Sequence, residues 1–266
     1  MSLAKRVALA ISLVLVNSAS AGAGLPMPEA SVHGSPVLRD LSGRKLADGD
    51  FSQWLEHEKL HVRIRYDFGH DHLVQEDAVL QQSPQLAQEE WSWKEVQGDK
   101  TPRKFEVDFK TGTARGEVWS GKQPKRWSEQ FKIVPGRTFS GFGFTLAIKS
   151  VRERLLHGEK AGFQAIAFSP KPREIGVEIS YAGLNRVPMA GRKPLGECFV
   201  IHPRVPILAR IFVTVPDMKI WLTHPPPAEF LRWEGCFAEP EDPVIRVDLL
   251  ADGPSGPAEP APAGQK

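Results

Sequence analysis

The sequence predicts a mostly β fold, in which a strongly curved antiparallel sheet, half-barrel or barrel-like, surrounds one main α-helix at about residues 145–157. The first observation is that apolar and polar residues alternate at 62–68, 105–109 and 175–181, which is typical of antiparallel strands with one buried face. The second is that turn residues separate such runs, so that about ten strands form a meander. The third is that apolar residues clearly repeat at helical spacing in only one segment.

The first 21 residues have the order of a secretory signal peptide. Lys5 and Arg6 precede an apolar run at 7–16, and small residues follow up to Ala21. The apolar run is too short to span a bilayer. We therefore expect cleavage near Ala21 and a periplasmic or secreted mature protein; the alternative is an amphipathic or buried N-terminal helix.

Composition argues against two classes of partner. The chain has a formal net charge of +2, with 34 basic and 32 acidic residues, and two of the basic residues are Lys5 and Arg6. The mature chain is then neutral, which is unlike a protein that binds nucleic acid or an anionic membrane. No later run of 18 apolar residues occurs, so we expect no transmembrane segment in the mature chain.

The mature chain is expected to form one domain between two irregular ends. Residues 22–47 lack periodicity and are interpreted as a mobile leader. Residues 48–251 carry the alternating pattern and form the β-rich domain. Residues 252–266 are rich in Pro, Gly and Ala and are interpreted as a disordered tail.

The helix is predicted from four apolar residues at helical spacing: Ala147, Ile148, Val151 and Leu155. Gly158 suits the C′ position, where a left-handed conformation ends many helices. The preceding sequence Gly-Phe-Gly-Phe at 141–144 lacks the Lys and Ser/Thr of a phosphate loop. Its two phenylalanines are therefore expected to anchor the helix against the sheet.

The last third is predicted to contain five consecutive antiparallel strands, at 198–201, 207–215, 218–223, 229–235 and 244–250. Cys198 opens the first of them and Cys236 follows the fourth. In an oxidising compartment these two cysteines are expected to form a disulfide, which would contribute about 3 to 4 kcal/mol. That pairing requires the curvature of the sheet to bring the first and fourth strands together; two buried thiols are the alternative.

His57-Glu58-Lys59-Leu60-His61 matches the HExxH pattern of zinc peptidases. That chemistry needs both histidines on one face of a helix, whereas His61 leads directly into the alternating run at 62–68. We therefore expect no metal here, with His57, His61, His70 and His72 as weak candidate ligands. His70 and His72 are better interpreted as part of a solvated turn, and the sequence predicts no cofactor and assigns no catalytic residue.

The order of the helix and the last strands resembles a known group of proteins. The helix ends in Arg-Leu-Leu-x-Gly, and strands containing 220–222, 230–235 and 244–249 follow it. This arrangement resembles uncharacterised exported β-rich bacterial proteins grouped as a domain of unknown function, similar in outline to periplasmic lipoprotein carriers. The resemblance implies a curved sheet around one helix and brings no catalytic residues with it.

These observations favour a non-enzymatic exported protein that binds or carries an apolar ligand, such as a lipid or acyl chain. The motivation is the number of tryptophans on predicted strands, namely Trp91, Trp93, Trp119, Trp221 and Trp233. They could instead simply fill a closed barrel. Two alternative functions remain at this stage: a zinc-dependent hydrolase that uses residues 57–61, and a structural or assembly factor of the cell envelope with protein partners.

Overall fold

A computed structural model describes residues 24–120, 123–189, 192–204 and 215–249. The expected signal peptide at 1–21, the tail at 252–266 and nearly all of the strand expected at 207–215 lie outside these residues.

The described residues form sixteen strands and one helix. In chain order they are β1 (Val32–Gly34), β2 (Val37–Asp40), β3 (Lys45–Glu56), β4 (Lys59–Gly69), β5 (His72–Gln81), β6 (Ala87–Gln97), β7 (Lys100–Asp108), β8 (Thr113–Ser120), β9 (Gln123–Gln130), β10 (Thr138–Phe139), α1 (Gly143–Leu156), β11 (Ala161–Ser169), β12 (Lys171–Arg186), β13 (Leu195–Pro203), β14 (Met218–Thr223), β15 (Phe230–Cys236) and β16 (Val244–Asp248).

All sixteen strands belong to one sheet, and every neighbouring pair is antiparallel except β10 with β11. The order runs from β10 through β16 to β2 and then on to β9, while β1 pairs with β3 outside this path. Although β12 lies far from β8 and β9 in this order, it contacts both of them, and β10 contacts β6. The sheet is therefore strongly curved without being closed into a barrel, which confirms the predicted fold class.

The expectation of a mobile leader at 22–47 is wrong from residue 32 onward. Strand β2 lies between β16 and β3 and joins the two ends of the domain, with Leu38 opposite Val247. Only 1% of Leu38 is exposed. The segment shows no local periodicity because its strands are short, and one partner of β2, strand β16, lies about two hundred residues away in sequence.

The single helix confirms the sequence prediction. It covers Gly143–Leu156, and Gly158 follows with a φ of +86°. Phe142 packs against Phe51 at a ring distance of 5.5 Å, and Phe144 packs against Phe139 at 6.0 Å, so both phenylalanines anchor the helix as expected. Within the described part of the chain, no helix combines the length and apolar character that crossing a membrane requires.

The predicted disulfide is not formed, and both Cys198 and Cys236 are free thiols. Strand β13 pairs directly with β14. Cys198 is opposite Trp221, which is opposite Arg232, four residues before Cys236. The Cα atoms of Cys198 and Cys236 are therefore two strand spacings apart across the sheet and four residues apart along a strand, which corresponds to about 16 Å. This distance is well beyond the roughly 7 Å between Cα atoms that a disulfide allows.

Candidate functional site

The curved sheet and the start of α1 line a partly open cavity of about 230 Å³. Its wall is formed mostly by apolar and aromatic side chains from many strands, including Phe51, Ile64, Trp91, Trp93, Phe105, Phe168, Ile220 and Trp233. On one side of the interior, Phe168 of β11 stacks on Phe105 of β7 at 4.7 Å. Such a concave, apolar interior with few polar groups is typical of sites that bind small molecules.

The five tryptophans that motivated the binding hypothesis divide into two groups. Trp91, Trp93 and Trp233 line the cavity. Trp221 instead packs against the small outer cluster around Leu231, and Trp119 is 48% exposed. Three of the five thus face the interior, where they could contact a ligand.

Small residues among the aromatic ones leave the space that forms the cavity. Gly141, Ala165, Ala167 and Ala238 all contribute to its wall. Because Cβ atoms alternate between the two faces of a strand, Ala165 shares the inward face of β11 with the buried residues Ala161 and Phe163. Larger side chains at these positions would fill the cavity.

One carboxyl group, that of Glu76, faces this apolar wall. Glu76 lies on β5, on the same face as the buried residues Val74 and Ala78. Its Oε1 accepts hydrogen bonds from Nε1 of Trp91 at 2.8 Å and from the backbone N–H of Phe142 at 2.7 Å. Protein surrounds Glu76, yet the residue keeps some accessible surface because it lines the cavity.

Burial dominates the electrostatics of this carboxyl group. Desolvation raises the pKa of Glu76, and the charge of Asp77 adds to this rise, while the hydrogen bonds from Phe142 and Trp91 oppose it. Tyr66 also lines the cavity. Burial is the main cause that raises the pKa of its hydroxyl group, and the nearby charge of Glu76 is a smaller cause. Both groups are therefore stabilised in their neutral forms.

The Gly-Phe-Gly-Phe segment is shaped by the residues beneath it. Gly141 has a φ of +50°, and a Cβ atom there would collide with Oε1 of Glu76 and Nε1 of Trp91. The buried side chain of Gln88 forms two hydrogen bonds with the backbone of Ser140. Its Oε1 accepts from the N–H at 2.8 Å, and its Nε2 donates to the carbonyl oxygen at 3.2 Å. The glycine at 141 thus allows the chain to lie directly on the Glu76–Trp91 pair, and no phosphate site is needed to explain it.

A second buried polar cluster connects the helix to β13. Arg152 of α1 donates from Nε to Glu197 at 2.7 Å and makes a second contact with the same carboxylate. His224 approaches Glu197 at 2.7 Å through Nδ1. Only 1% of the Glu197 side chain is exposed, so this cluster stabilises the packing of the helix end and lies apart from the residues that line the cavity.

The HExxH pattern forms a hairpin turn instead of a helix. His57 and Glu58 both have positive φ values, of 49° and 63°, and join β3 to β4, as in a two-residue type I′ turn. His61 is already in β4, where it stacks on Trp54 at 5.3 Å. The two histidines are therefore not one helical turn apart, as zinc peptidase chemistry requires.

The other two candidate histidines lie at the opposite end of β4. His70 is in the turn before β5, and His72 bonds Glu95 at 2.9 Å. Gly69, the residue of β4 that pairs with His72, lies eight residues along the strand from His61. In an extended strand this separation corresponds to about 27 Å. Among the described residues, no group of three or more His, Cys, Asp or Glu side chains is placed to hold a metal ion.

The sequence interpretation missed Glu76 as a cavity residue, although a signal was present. Val74, Glu76, Ala78 and Leu80 occupy alternate positions of β5, so they share one face of the strand. A carboxylate within such an apolar row indicates a charged residue on a buried face, where it must have a partner or a function.

No family model matches the chain, and no curated protein matches it. One solved structure with a similar outline is a β-barrel-like protein of Domain of Unknown Function DUF1849 from Brucella abortus, with a TM-score of 0.46 and 8% identity, covering 83% of this chain and 94% of that one. Another is the hypothetical lipoprotein YmcC from Escherichia coli, with a TM-score of 0.36 and 11% identity, covering 85% of this chain and 90% of that one. Both are named without an assigned function.

Proposed function

We propose that this protein binds an apolar small molecule or acyl-chain segment in the partly open cavity that its curved sheet lines. The observation that carries the proposal is the aromatic, largely apolar wall of a cavity of about 230 Å³ in the middle of the fold. Aromatic side chains provide large contact areas for apolar ligands at little cost in conformational freedom.

The cavity volume sets the size of the ligand. A cavity of about 150 Å³ accommodates benzene, which corresponds to about 25 Å³ for each heavy atom. At that density the cavity of about 230 Å³ holds about nine heavy atoms. A medium-length chain, or one segment of a longer acyl chain, fits this volume.

Stability supports a binding role for the cavity. Lost core volume reduces stability by about 24 cal/mol per Å³, so side chains that filled a cavity of about 230 Å³ would contribute about 5 kcal/mol. The sequence forgoes this contribution by placing Ala165 and Gly141 among large aromatic residues. Such a sacrifice of stability is typical of functional sites.

We further propose that this binding takes place in the cell envelope. Lys5, Arg6 and the apolar run at 7–16 have the order of an export signal. Native mass spectrometry tests the proposed export separately from binding. It compares protein purified from the periplasm with protein from cells that express a chain starting at residue 22. Recovery of an uncleaved chain in the cytoplasm would contradict the proposed export.

The experiment for binding is a titration with linear methyl ketones of increasing length, followed by tryptophan fluorescence. Each added CH₂ group should increase the affinity about fourfold, since its burial contributes about 0.8 kcal/mol, and the increase should stop at about nine heavy atoms. Trp91, Trp93 and Trp233 line the cavity and should report binding. An affinity that continues to rise with length, or no binding at any length, would contradict the proposal.

Two variants on β11 distinguish the cavity from the outer surface. Ala165→Leu places added carbons in the cavity wall and should weaken binding of the longest ketones by tenfold or more. Gly162→Leu adds a similar side chain on the exposed face of the same strand, where no atom lies within 4 Å of the new Cβ. This control should bind like the unmodified protein.

A further inference from the structure

Glu76 has an unusual position within the cavity that carries the proposed function. It is the only carboxylate among the described residues that line the cavity, and none of those residues is Lys, Arg or His. The other titratable groups in the wall are the hydroxyl of Tyr66 and the thiol of Cys236. Asp77, the next residue, is hydrogen bonded to Arg63 and Gln75.

The two oxygens of Glu76 are in different situations. Oε1 accepts two hydrogen bonds, from Trp91 and from the backbone of Phe142, which occupy its acceptor positions. Oε2 has no hydrogen-bond partner among the described residues. It does not belong to the fully buried polar atoms that lack a partner, so it keeps some accessible surface. Because Glu76 lines the cavity, Oε2 is the atom that a ligand can reach.

The surroundings determine which form of the carboxyl group is present. An ionised carboxylate without a cationic partner in an apolar interior is strongly disfavoured, and burial raises the pKa of Glu76. A protonated carboxyl group has one O–H donor. Since Oε1 already accepts two N–H groups, the proton belongs on Oε2.

We propose that Glu76 is the residue that recognises a polar group on the ligand, by donating a hydrogen bond from Oε2–H to a carbonyl oxygen on an otherwise apolar molecule. This inference rests on the proposed function and names the chemical class of its ligand, an apolar chain with one carbonyl group. Trp91 and Phe142 orient the carboxyl group, so that its donor is fixed before the ligand binds.

The test compares octan-2-one with nonane, which have the same number of heavy atoms, in the unmodified protein and in two variants. Glu76→Gln keeps an oxygen for Trp91 and Phe142 and an N–H donor toward the cavity, so the ratio of the two affinities should be unchanged. Glu76→Leu leaves the buried carbonyl oxygen unpaired, which costs about 1 kcal/mol or more. Binding of octan-2-one relative to nonane should then weaken by about fivefold or more.

Infrared spectroscopy provides a second measurement that does not depend on the folding of Glu76→Leu. The carbonyl stretch of octan-2-one bound to the unmodified protein or to Glu76→Gln should lie at lower frequency than in hexane. An unshifted stretch in the unmodified protein, or an equal affinity ratio in Glu76→Leu, overturns the role of Glu76 while leaving the proposed function intact. If neither octan-2-one nor nonane binds, the proposed function itself fails, and the role of Glu76 fails with it.

Discussion

Replacing Gly141 with alanine should destabilise the protein much more than an ordinary glycine substitution does. Gly141 has a φ of +50°, in the left-handed region, where a residue with a Cβ atom costs about 1 to 2 kcal/mol. The new Cβ would also collide with Oε1 of Glu76 and Nε1 of Trp91. Overpacking of this kind costs about 1 to 3 kcal/mol, and separating the hydrogen-bonded pair adds about 1 kcal/mol.

Gly98 provides a matched control for the backbone contribution. Its φ of +56° is close to that of Gly141, but no atom lies within 4 Å of the Cβ that an alanine would add. Gly98→Ala should therefore cost about 1 to 2 kcal/mol, and Gly141→Ala about 3 to 6 kcal/mol. The difference between the two variants measures the collision with the Glu76–Trp91 pair.

Thermal unfolding followed by circular dichroism measures both variants. A change of 1 kcal/mol shifts the melting temperature by about 2 to 4 °C in a chain of this size. The melting temperature should therefore fall by roughly 2 to 8 °C in Gly98→Ala and by roughly 6 to 24 °C in Gly141→Ala. Equal shifts in the two variants would refute the close packing of Gly141 on Glu76 and Trp91.

Three further predictions concern the buried polar groups. In urea unfolding, Arg152→Met and Glu197→Gln should each cost about 3 kcal/mol, and the double variant less than their sum, because each single change removes the main charge partner of the other buried group; additive costs would contradict this. Burial raises the pKa of Glu76 in the folded protein above its usual value, so its contribution to stability is complete below the pKa of the unfolded chain and is lost as pH rises through the folded pKa. The stability of Glu76→Gln relative to the unmodified protein should therefore increase with pH, and parallel stability curves would exclude the shift. Without reductant, the unfolded protein should show two thiols, from Cys198 and Cys236, and native Cys198 should react slowly at pH 8, because burial raises its pKa to about 11; an absence of thiols in the unfolded protein would indicate the disulfide.

Local pattern was sufficient to predict which residues of several strands face the core. Val62, Phe105 and Val107 are each no more than 2% exposed, as their alternation with polar neighbours indicated. Alternation predicts the buried face because side chains of a strand point to opposite sides whichever strand is its partner. The helix was predicted for the same reason, since its apolar spacing depends only on its own 3.6-residue period.

Longer-range features were predicted less well. The sequence indicated about ten strands, whereas the residues that the structure describes form sixteen; short strands such as β2 contain too few residues to show a period. The alternating run that follows His61 indicated a strand beginning there, and His61 lies in β4. The turn before this strand, with positive φ at His57 and Glu58, follows from the pairing of β3 with β4.

The sequence by itself determined the mostly β class, the helix and the inward faces of the main strands, because these depend on contacts and periods within a few residues. Only the tertiary structure decided that β2 joins β16 to β3, that Cys198 and Cys236 stay apart, and that Glu76 meets Trp91 and Phe142 at a cavity. Each of these depends on which strands become neighbours when the sheet curves. That choice is made by the packing of the whole interior, so no single segment of the chain encodes it.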